Sequence, residues 1–377
     1  MWKTTEGSTG RLIQLCLGYF FFYILTGVSV KYFTGSPTLG FPGMKELEFA
    51  VYSTIGGNLV CLVVVFALRW YNLKSNRIIQ WGRFKFPQEA LYIVPSGICT
   101  AVVIPTTTLM YTLPISVMVA MVIMRASVIV ISRFVDAIQI HQQILKKRVY
   151  KEENFAVVFA LLAAGVNIFW VGPGDFDFIK HEAAVIILGS YIVAYAIRIY
   201  LMNYYKNTRA KGVKLDNQGF FAIEQIAATV VIAVVGIFLF KSPDWFGGGG
   251  EQITIFRESF LNPKSIWTLA VISGMAYGGV AFFSVFIFMF KGRTATFAGL
   301  VNRLTSLVAG TTATLSFAII YGGKFPKIQD WVSLVFIFIA VGFLTIAERK
   351  RTQELVLTHE IETKPVTKDF VAVAEKT

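Results

Sequence analysis

The chain has 377 residues, of which 55% are apolar and 15% charged, with a mean hydropathy of +0.62 and a formal net charge of +13. A soluble chain has about a quarter of its residues charged, so this composition excludes an ordinary globular enzyme and points to a polytopic membrane protein. In such a protein the positive excess reflects basic loops on one side of the bilayer, not nucleic-acid binding. The three cysteines, Cys16, Cys61 and Cys99, lie inside apolar runs and make neither a disulfide framework nor a metal site.

Ten spans are expected, at 12–33, 47–69, 88–110, 113–138, 154–172, 182–205, 218–240, 265–290, 294–321 and 329–347. Each is near the ~20 residues that a spanning helix needs. The first follows a polar stretch without a small-residue cleavage signal and reads as a retained helix. The third carries Pro95, Gly97 and Pro105, followed by Thr106, Thr107 and Thr108. Its prolines should kink it, with hydroxyls re-satisfying the freed backbone, and Thr106 is a candidate site residue on such a broken helix.

The fourth span is the most informative. Arg125 sits near its middle, where a charge costs a few kcal/mol and so marks a watery or functional interior. The unit recurs: Arg303 lies in the ninth span, 39 positions before Gly342, as Arg125 lies 40 before Gly165. Each interval holds the rest of a helix, a short basic loop and a second apolar run. One structural unit is therefore used twice. Near the end of span four, Arg133 and Asp136 stand at i and i+3 and are expected to pair with each other.

In the second half, Arg198 lies in span six among Tyr191, Tyr195, Tyr200, Tyr204 and Tyr205, either snorkelling or facing a cavity. Glu224 is the one acid well inside an apolar run there, and either pairs with Arg198 or Arg303 or carries a proton. Gly274-x-x-x-Gly278, with Gly279, reads as close internal helix packing. The 241–264 segment, containing Gly247–Gly250, reads as a flexible outer loop, and the tail after Arg351 as disordered.

Basic residues orient the spans. With the N-terminus inside, 17 Lys and Arg fall in cytoplasmic connections against 8 in the opposite ones, and both ends are cytoplasmic. The organisation is then a cytoplasmic N-terminus (1–11), a five-helix repeat (12–172), an inter-repeat loop (173–181), a second five-helix repeat (182–347) and a cytoplasmic tail (348–377). Five spans per half is an odd number, so the halves run inverted, and inverted repeats place a substrate site near the bilayer midplane. The expected class is an all-α integral membrane bundle of ten helices.

Two repeat-matched guanidiniums would make a central cavity anion-selective, because each offers a planar fork suited to phosphate or carboxylate. The competing reading is that each arginine is a structural strut. No G-x-S-x-G, H-E-x-x-H, C-x-x-C or Walker loop occurs, and the three histidines fall in connections or the tail. No enzymatic activity, cofactor or metal is expected, and any transport would be secondary.

With these residues in view, the chain resembles the drug/metabolite transporter superfamily. Met124-Arg125-Ala126-Ser127, then Lys146-Lys147-Arg148-Val149-Tyr150 and Gly165-Val166-Asn167-Ile168, resemble its fourth and fifth helices. Asn302-Arg303-Leu304-Thr305-Ser306 and Gly342 resemble its ninth and tenth. The stretch is most similar to the nucleotide-sugar transporter branch, whose ninth-helix Asn-Lys motif contacts nucleotide phosphates. The resemblance implies that Asn302 and Arg303 bind phosphate and that Arg125 completes the pocket. Where GDP-mannose carriers have Phe-Tyr-x-Asn-Asn, this chain has Phe220-Phe221-Ala222-Ile223-Glu224-Gln225, which leaves the sugar open.

The leading expectation is an antiporter-like carrier of an anionic metabolite, a nucleotide sugar exchanged for a nucleotide monophosphate. Its site would draw on Arg125, Asn302, Arg303, Arg198, Glu224 and Thr106. The alternatives are a drug or amino-acid exporter of the same superfamily, proton-coupled through Glu224, and a non-transporting membrane scaffold or receptor. Expected partners are the anionic small molecule and the lipid bilayer, with no nucleic acid; a homodimer is left open. The membrane would be Golgi or endoplasmic reticulum in a eukaryotic host and the inner membrane in a bacterial one.

Overall fold

The computed structural model describes residues 7–112, 117–146, 149–170, 182–210, 212–322, 325 and 328–363. The expected inter-repeat loop 173–181, the loop residues Lys147 and Arg148, and the tail beyond 363 lie outside the described residues.

The described chain is all-α apart from one hairpin. Its helices are α1 (Thr9–Thr34), α2 (Glu46–Ala67), α3 (Ala90–Thr112), α4 (Val117–His141), α5 (Lys151–Phe169), α6 (Glu182–Asn207), α7 (Asn217–Phe246), α8 (Glu251–Leu261), α9 (Trp267–Phe288), α10 (Ala295–Tyr321) and α11 (Ile328–Thr363). Strands β1 (Ile78–Trp81) and β2 (Phe84–Pro87) form the antiparallel hairpin between α2 and α3.

Eight of these helices hold an apolar stretch long enough to cross a membrane: α1, α2, α3, α6, α7, α9, α10 and α11. The chain is a multi-pass membrane protein. The two other long helices carry charge within or at the start of their apolar runs. Helix α4 carries Arg125, Arg133 and Asp136, and α5 opens with Lys151-Glu152-Glu153.

Helix ends follow local chemistry. The Ser8 side chain accepts from the Arg11 amide at 3.3 Å, Asp216 from Gly219 at 2.9 Å and Thr294 from Phe297 at 3.1 Å, each covering an orphan donor of α1, α7 or α10. Gly322 takes the left-handed conformation that ends α10 (φ 70°). Along α1 the outward stripe is Ile13, Leu17, Phe21 and Leu25, and along α2 it is Ile55, Leu59, Val63 and Phe66, all exposed. Apolar side chains at helical spacing on the outside, with Arg125, Arg198, Glu224 and Arg303 inside, are the arrangement a lipid solvent selects.

Helices α2 and α9 approach through glycine. A Cβ on Gly274 would lie 2.5 Å from the Ser53 backbone, and one on Gly278 would lie 2.6 Å from the Gly57 carbonyl. The Gly274-x-x-x-Gly278 motif is thus an internal helix contact.

One end of the bundle is closed by buried ion pairs. Arg293 meets Glu348 with Nε–Oε2 at 2.7 Å, and Arg351 meets Glu153 at 3.3 Å. Thr294 donates to Glu153 at 2.8 Å, and Thr9 donates to Glu348 at 3.0 Å, which brings the start of α1 beside α11.

Three expectations are corrected here. Arg133 and Asp136 do not pair: Arg133 donates to Asn154 at 3.0 Å, and Asp136 accepts the Ala295 and Thr296 amides at 2.8 and 2.6 Å. The positive end of α10 offers Asp136 two donors that a neighbouring side chain on its own helix cannot match. The tail does not begin at 348, because α11 runs on to Thr363 and its Glu348 and Arg351 are held by the ion pairs above. The 241–264 loop is mostly helical: α7 continues to Phe246, Gly247 and Gly248 turn the chain at φ 71°, and α8 follows. Tyr52 on α2 donates to the Ser259 carbonyl at 2.7 Å and fixes α8 in place.

Candidate functional site

Arg125 lies on α4 and Arg303 on α10, and these helices pack against each other. Since Asp136 sits level with Ala295, a rise of 1.5 Å per residue puts Arg125 about 16 Å and Arg303 about 12 Å in from the ion-paired end. That is mid-depth in a hydrocarbon core of about 30 Å.

A cavity of about 100 Å³ lies there, lined by Arg125, Arg198 and Arg303 together with Tyr19, Tyr23, Tyr191, Tyr195 and Tyr277. A larger depression, about 610 Å³, lies on the outer face of α5 near Phe336, but its lining residues are wholly apolar. Chemistry, not size, selects the first.

Each charged group has distinct surroundings. Arg125 donates to the Tyr23 hydroxyl and to the Ser306 hydroxyl, and its guanidinium carbon is 4.8 Å from the Tyr23 ring centroid. Arg198 grips Glu224 with both arms, Nε–Oε1 at 2.9 Å and Nη2–Oε2 at 3.0 Å. Ser96 and Thr100 on α3 add donors to Glu224 at 2.6 and 3.2 Å. Arg303 stacks on Tyr195, 4.9 Å from its centroid, and its Nε and Nη2 have no hydrogen-bond partner among the described residues. The Nε2 of Gln225, which also lines the cavity, is unpartnered in the same sense.

Three guanidiniums against the single carboxylate of Glu224 leave two positive charges in a low-dielectric interior. The unpartnered donors of Arg303 and Gln225 are buried polar groups that cost free energy until something accepts from them. The arrangement can bind an anion, and five tyrosines can cover a flat or ring-shaped body beside it.

The sequence-derived candidates therefore separate. Arg125, Arg198 and Arg303 line the cavity, and Glu224 stands behind Arg198. Asn302 is fully buried and does not line it; it donates to Ser284 at 3.0 Å and accepts from Tyr19 at 3.4 Å, so it positions a cavity tyrosine. Thr106 does not line the cavity, its hydroxyl donating to the Val102 and Val103 carbonyls at 2.7 and 3.2 Å, whereas Thr107 one place on lines it while donating to the Val103 carbonyl at 2.7 Å. Gln225, Tyr19, Tyr23 and Tyr277 were not foreseen. The adjacency of Gln225 to Glu224 in an apolar run was the one available signal for them.

No family model matches the chain, and no curated protein matches it. A solved structure described as "Crystal structure of protein" is similar to it with a TM-score of 0.54 and 15% identity, over 91% of this chain and 99% of that one. At that identity the likeness concerns the fold alone: the helical arrangement of this chain has a known counterpart along nearly its whole length.

Proposed function

We propose that the protein is a secondary transporter of an anionic, phosphorylated metabolite, with a nucleotide sugar exchanged for a nucleotide monophosphate as the specific form. The observation that carries this reading is the mid-depth cavity with two uncompensated positive charges and unsatisfied donors on Arg303 and Gln225. The resemblance of Asn302-Arg303 to the phosphate-contacting motif of nucleotide-sugar carriers gives the substrate class. A void of about 100 Å³ is below the ~300 Å³ at which drug-sized ligands are buried, so helices must part to admit a nucleotide. That movement is the expected opening step of alternating access.

A two-repeat architecture of ten spanning helices belongs to the same proposal. With α8 set aside, a shift of five helices exchanges the packing pairs: α3–α6 becomes α9–α1, α1–α10 becomes α6–α4, and α2–α9 becomes α7–α3. The pairs α4–α10 and α5–α11 map onto themselves. The packing of α4, which carries Arg125, against α10, which carries Arg303, follows the same operation. An odd number of helices per repeat makes the halves inverted, with the site between them and both termini on the side richer in Lys and Arg, the cytoplasm.

Glu224, held by Arg198, Ser96 and Thr100, is not among the residues that line the cavity, which favours the anion carrier over a proton-coupled exporter. The unsatisfied donors of Arg303 speak against a scaffold with a dry, fully paired interior. The test is thermal stabilisation of purified protein by nucleotides, nucleotide sugars, amino acids and cationic drugs, since a ligand stabilises by RT ln(1 + [L]/Kd). Stabilisation by nucleoside mono- or diphosphates, lost in Arg303→Ala, is expected. Stabilisation by cations or amino acids alone would overturn the reading.

A further inference from the structure

The hairpin between α2 and α3 has no part in the cavity, yet it carries two strongly exposed aromatic side chains. Its register pairs Ile79 with Phe86 and Trp81 with Phe84 on one face, and Ile78 with Pro87 and Gln80 with Lys85 on the other. One face is therefore entirely apolar. Trp81 is 79% and Phe84 77% exposed at the tip. Gly82, at φ 60°, holds the first central position of the two-residue turn, which in the type II′ geometry requires glycine. The tip is built, not frayed.

Its base is stapled down. The Glu89 carboxylate accepts from Ser75 and from the Asn76 amide at 2.6 Å and pairs with Arg209 at 2.6 Å. Asn76 exchanges hydrogen bonds with the Thr208 carbonyl (3.2 Å) and the Ala210 amide (3.1 Å). The tip thus projects from a fixed platform. Strand β2 ends at Pro87 and α3 begins at Ala90, and four extended residues reach only about 13 Å, which keeps Trp81 within or close to the headgroup layer at that end of the spanning helix.

The charge around the tip is one-sided. Residues 69–87 contain five basic side chains, Arg69, Lys74, Arg77, Arg83 and Lys85, and no acidic one. An aromatic face flanked by basic side chains, at a membrane boundary, is the pattern of an interfacial element that buries rings among headgroups and attracts anionic lipid.

We propose that this hairpin is a lipid-binding element: Trp81 and Phe84 insert at the headgroup level of the leaflet facing it, and Arg77, Arg83 and Lys85 bind anionic phospholipid headgroups there. The inference rests on the membrane-spanning fold and is independent of what the cavity carries.

The test uses the full chain in nanodiscs holding phosphatidylglycerol and phosphatidylcholine, with bromine on one lipid at a time near the ester. Fluorescence of Trp81 is taken as the difference between wild type and W81F. Brominated phosphatidylglycerol is expected to quench it more strongly per mole than brominated phosphatidylcholine, by about fivefold for each basic residue engaged. The variant R77Q/R83Q/K85Q is expected to equalise the two lipids while melting with wild type in detergent. Equal quenching by both lipids in wild type, or none by either, would overturn the proposal. So would quenching that disappears in discs loaded with two copies, which would give the aromatic face to a second chain.

Discussion

The guanidinium of Arg125 on α4 donates to the hydroxyl of Ser306 on α10, and that hydroxyl donates in turn to the Arg303 carbonyl at 2.8 Å. The two arginines are thus joined through one serine, but they are not equivalent. Arg125 is tied to two other helices, by Ser306 on α10 and by Tyr23 on α1. Arg303 keeps two buried donors unused.

This asymmetry predicts that the two alanine variants differ in kind. Arg125→Ala should lower unliganded stability by about 2 kcal/mol, the worth of charged hydrogen bonds, and weaken anion binding as well. Arg303→Ala should leave unliganded stability unchanged or raised, because it removes unsatisfied buried donors, while weakening ligand affinity about 10- to 100-fold. Arg303→Lys should fall between, keeping charge but losing the fork. Denaturation midpoints and ligand-induced shifts on the same samples check this. A large loss of stability in Arg303→Ala would make that residue a strut.

The Arg198–Glu224 pair predicts the opposite pattern. Both side chains are buried, so removing one partner strands a charge. Glu224→Ala or Arg198→Ala should each cost about 3–5 kcal/mol. Replacing both, as Arg198→Met with Glu224→Leu, should recover much of the loss, because the desolvation of both ions is removed together. A double variant as unstable as the singles would show that Ser96 and Thr100 depend on the carboxylate for more than pairing.

Glycine contacts give a third prediction. A Cβ at Gly56 would fall inside the Val271 carbonyl oxygen, and one at Gly274 would lie 2.5 Å from Ser53. Both neighbours are backbone and cannot swing aside. Gly56→Ala and Gly274→Ala should each destabilise by about 1–3 kcal/mol or more. Gly189→Ala and Gly342→Ala, which meet nothing within 4 Å, should not. Thermal unfolding in one detergent separates the two pairs.

What the sequence revealed depends on whether the signal was local. Arg125, Arg198, Glu224 and Arg303 stood out because a charge inside an apolar run is costly wherever the run folds. Gly274 and Gly278 were legible for the same reason, as a spacing within one helix. Thr106 misled because adjacent residues on a helix differ by about 100°, so Thr107 lines the cavity and Thr106 does not. Asp136, Glu348 and Arg351 find partners 55 to 198 positions away or at another helix's end, and no local pattern announces such partners. The cavity tyrosines were hidden by abundance: the chain has 15, and only packing decides which ones converge.

The hairpin base gives a pH prediction outside the spans. Burial would raise the Glu89 carboxyl, but hydrogen bonds from Ser75, the Asn76 amide and its own amide, with the Arg209 charge, outweigh it and hold the group below its ordinary 4.5. A carboxylate depressed in the folded state adds stability that is present above the unfolded value and is lost as pH falls through the folded one. The window therefore lies below about pH 4.5. Glu89→Gln keeps the shape but weakens the charged contacts, and should cost about 1–3 kcal/mol at pH 7. The gap between wild type and variant should narrow steadily between about pH 4.5 and pH 3, because wild type loses there what the variant never had. Unfolding midpoints of both proteins at pH 7, 5, 4 and 3 decide the matter, and parallel curves across that range would remove Glu89 from the account of acid stability.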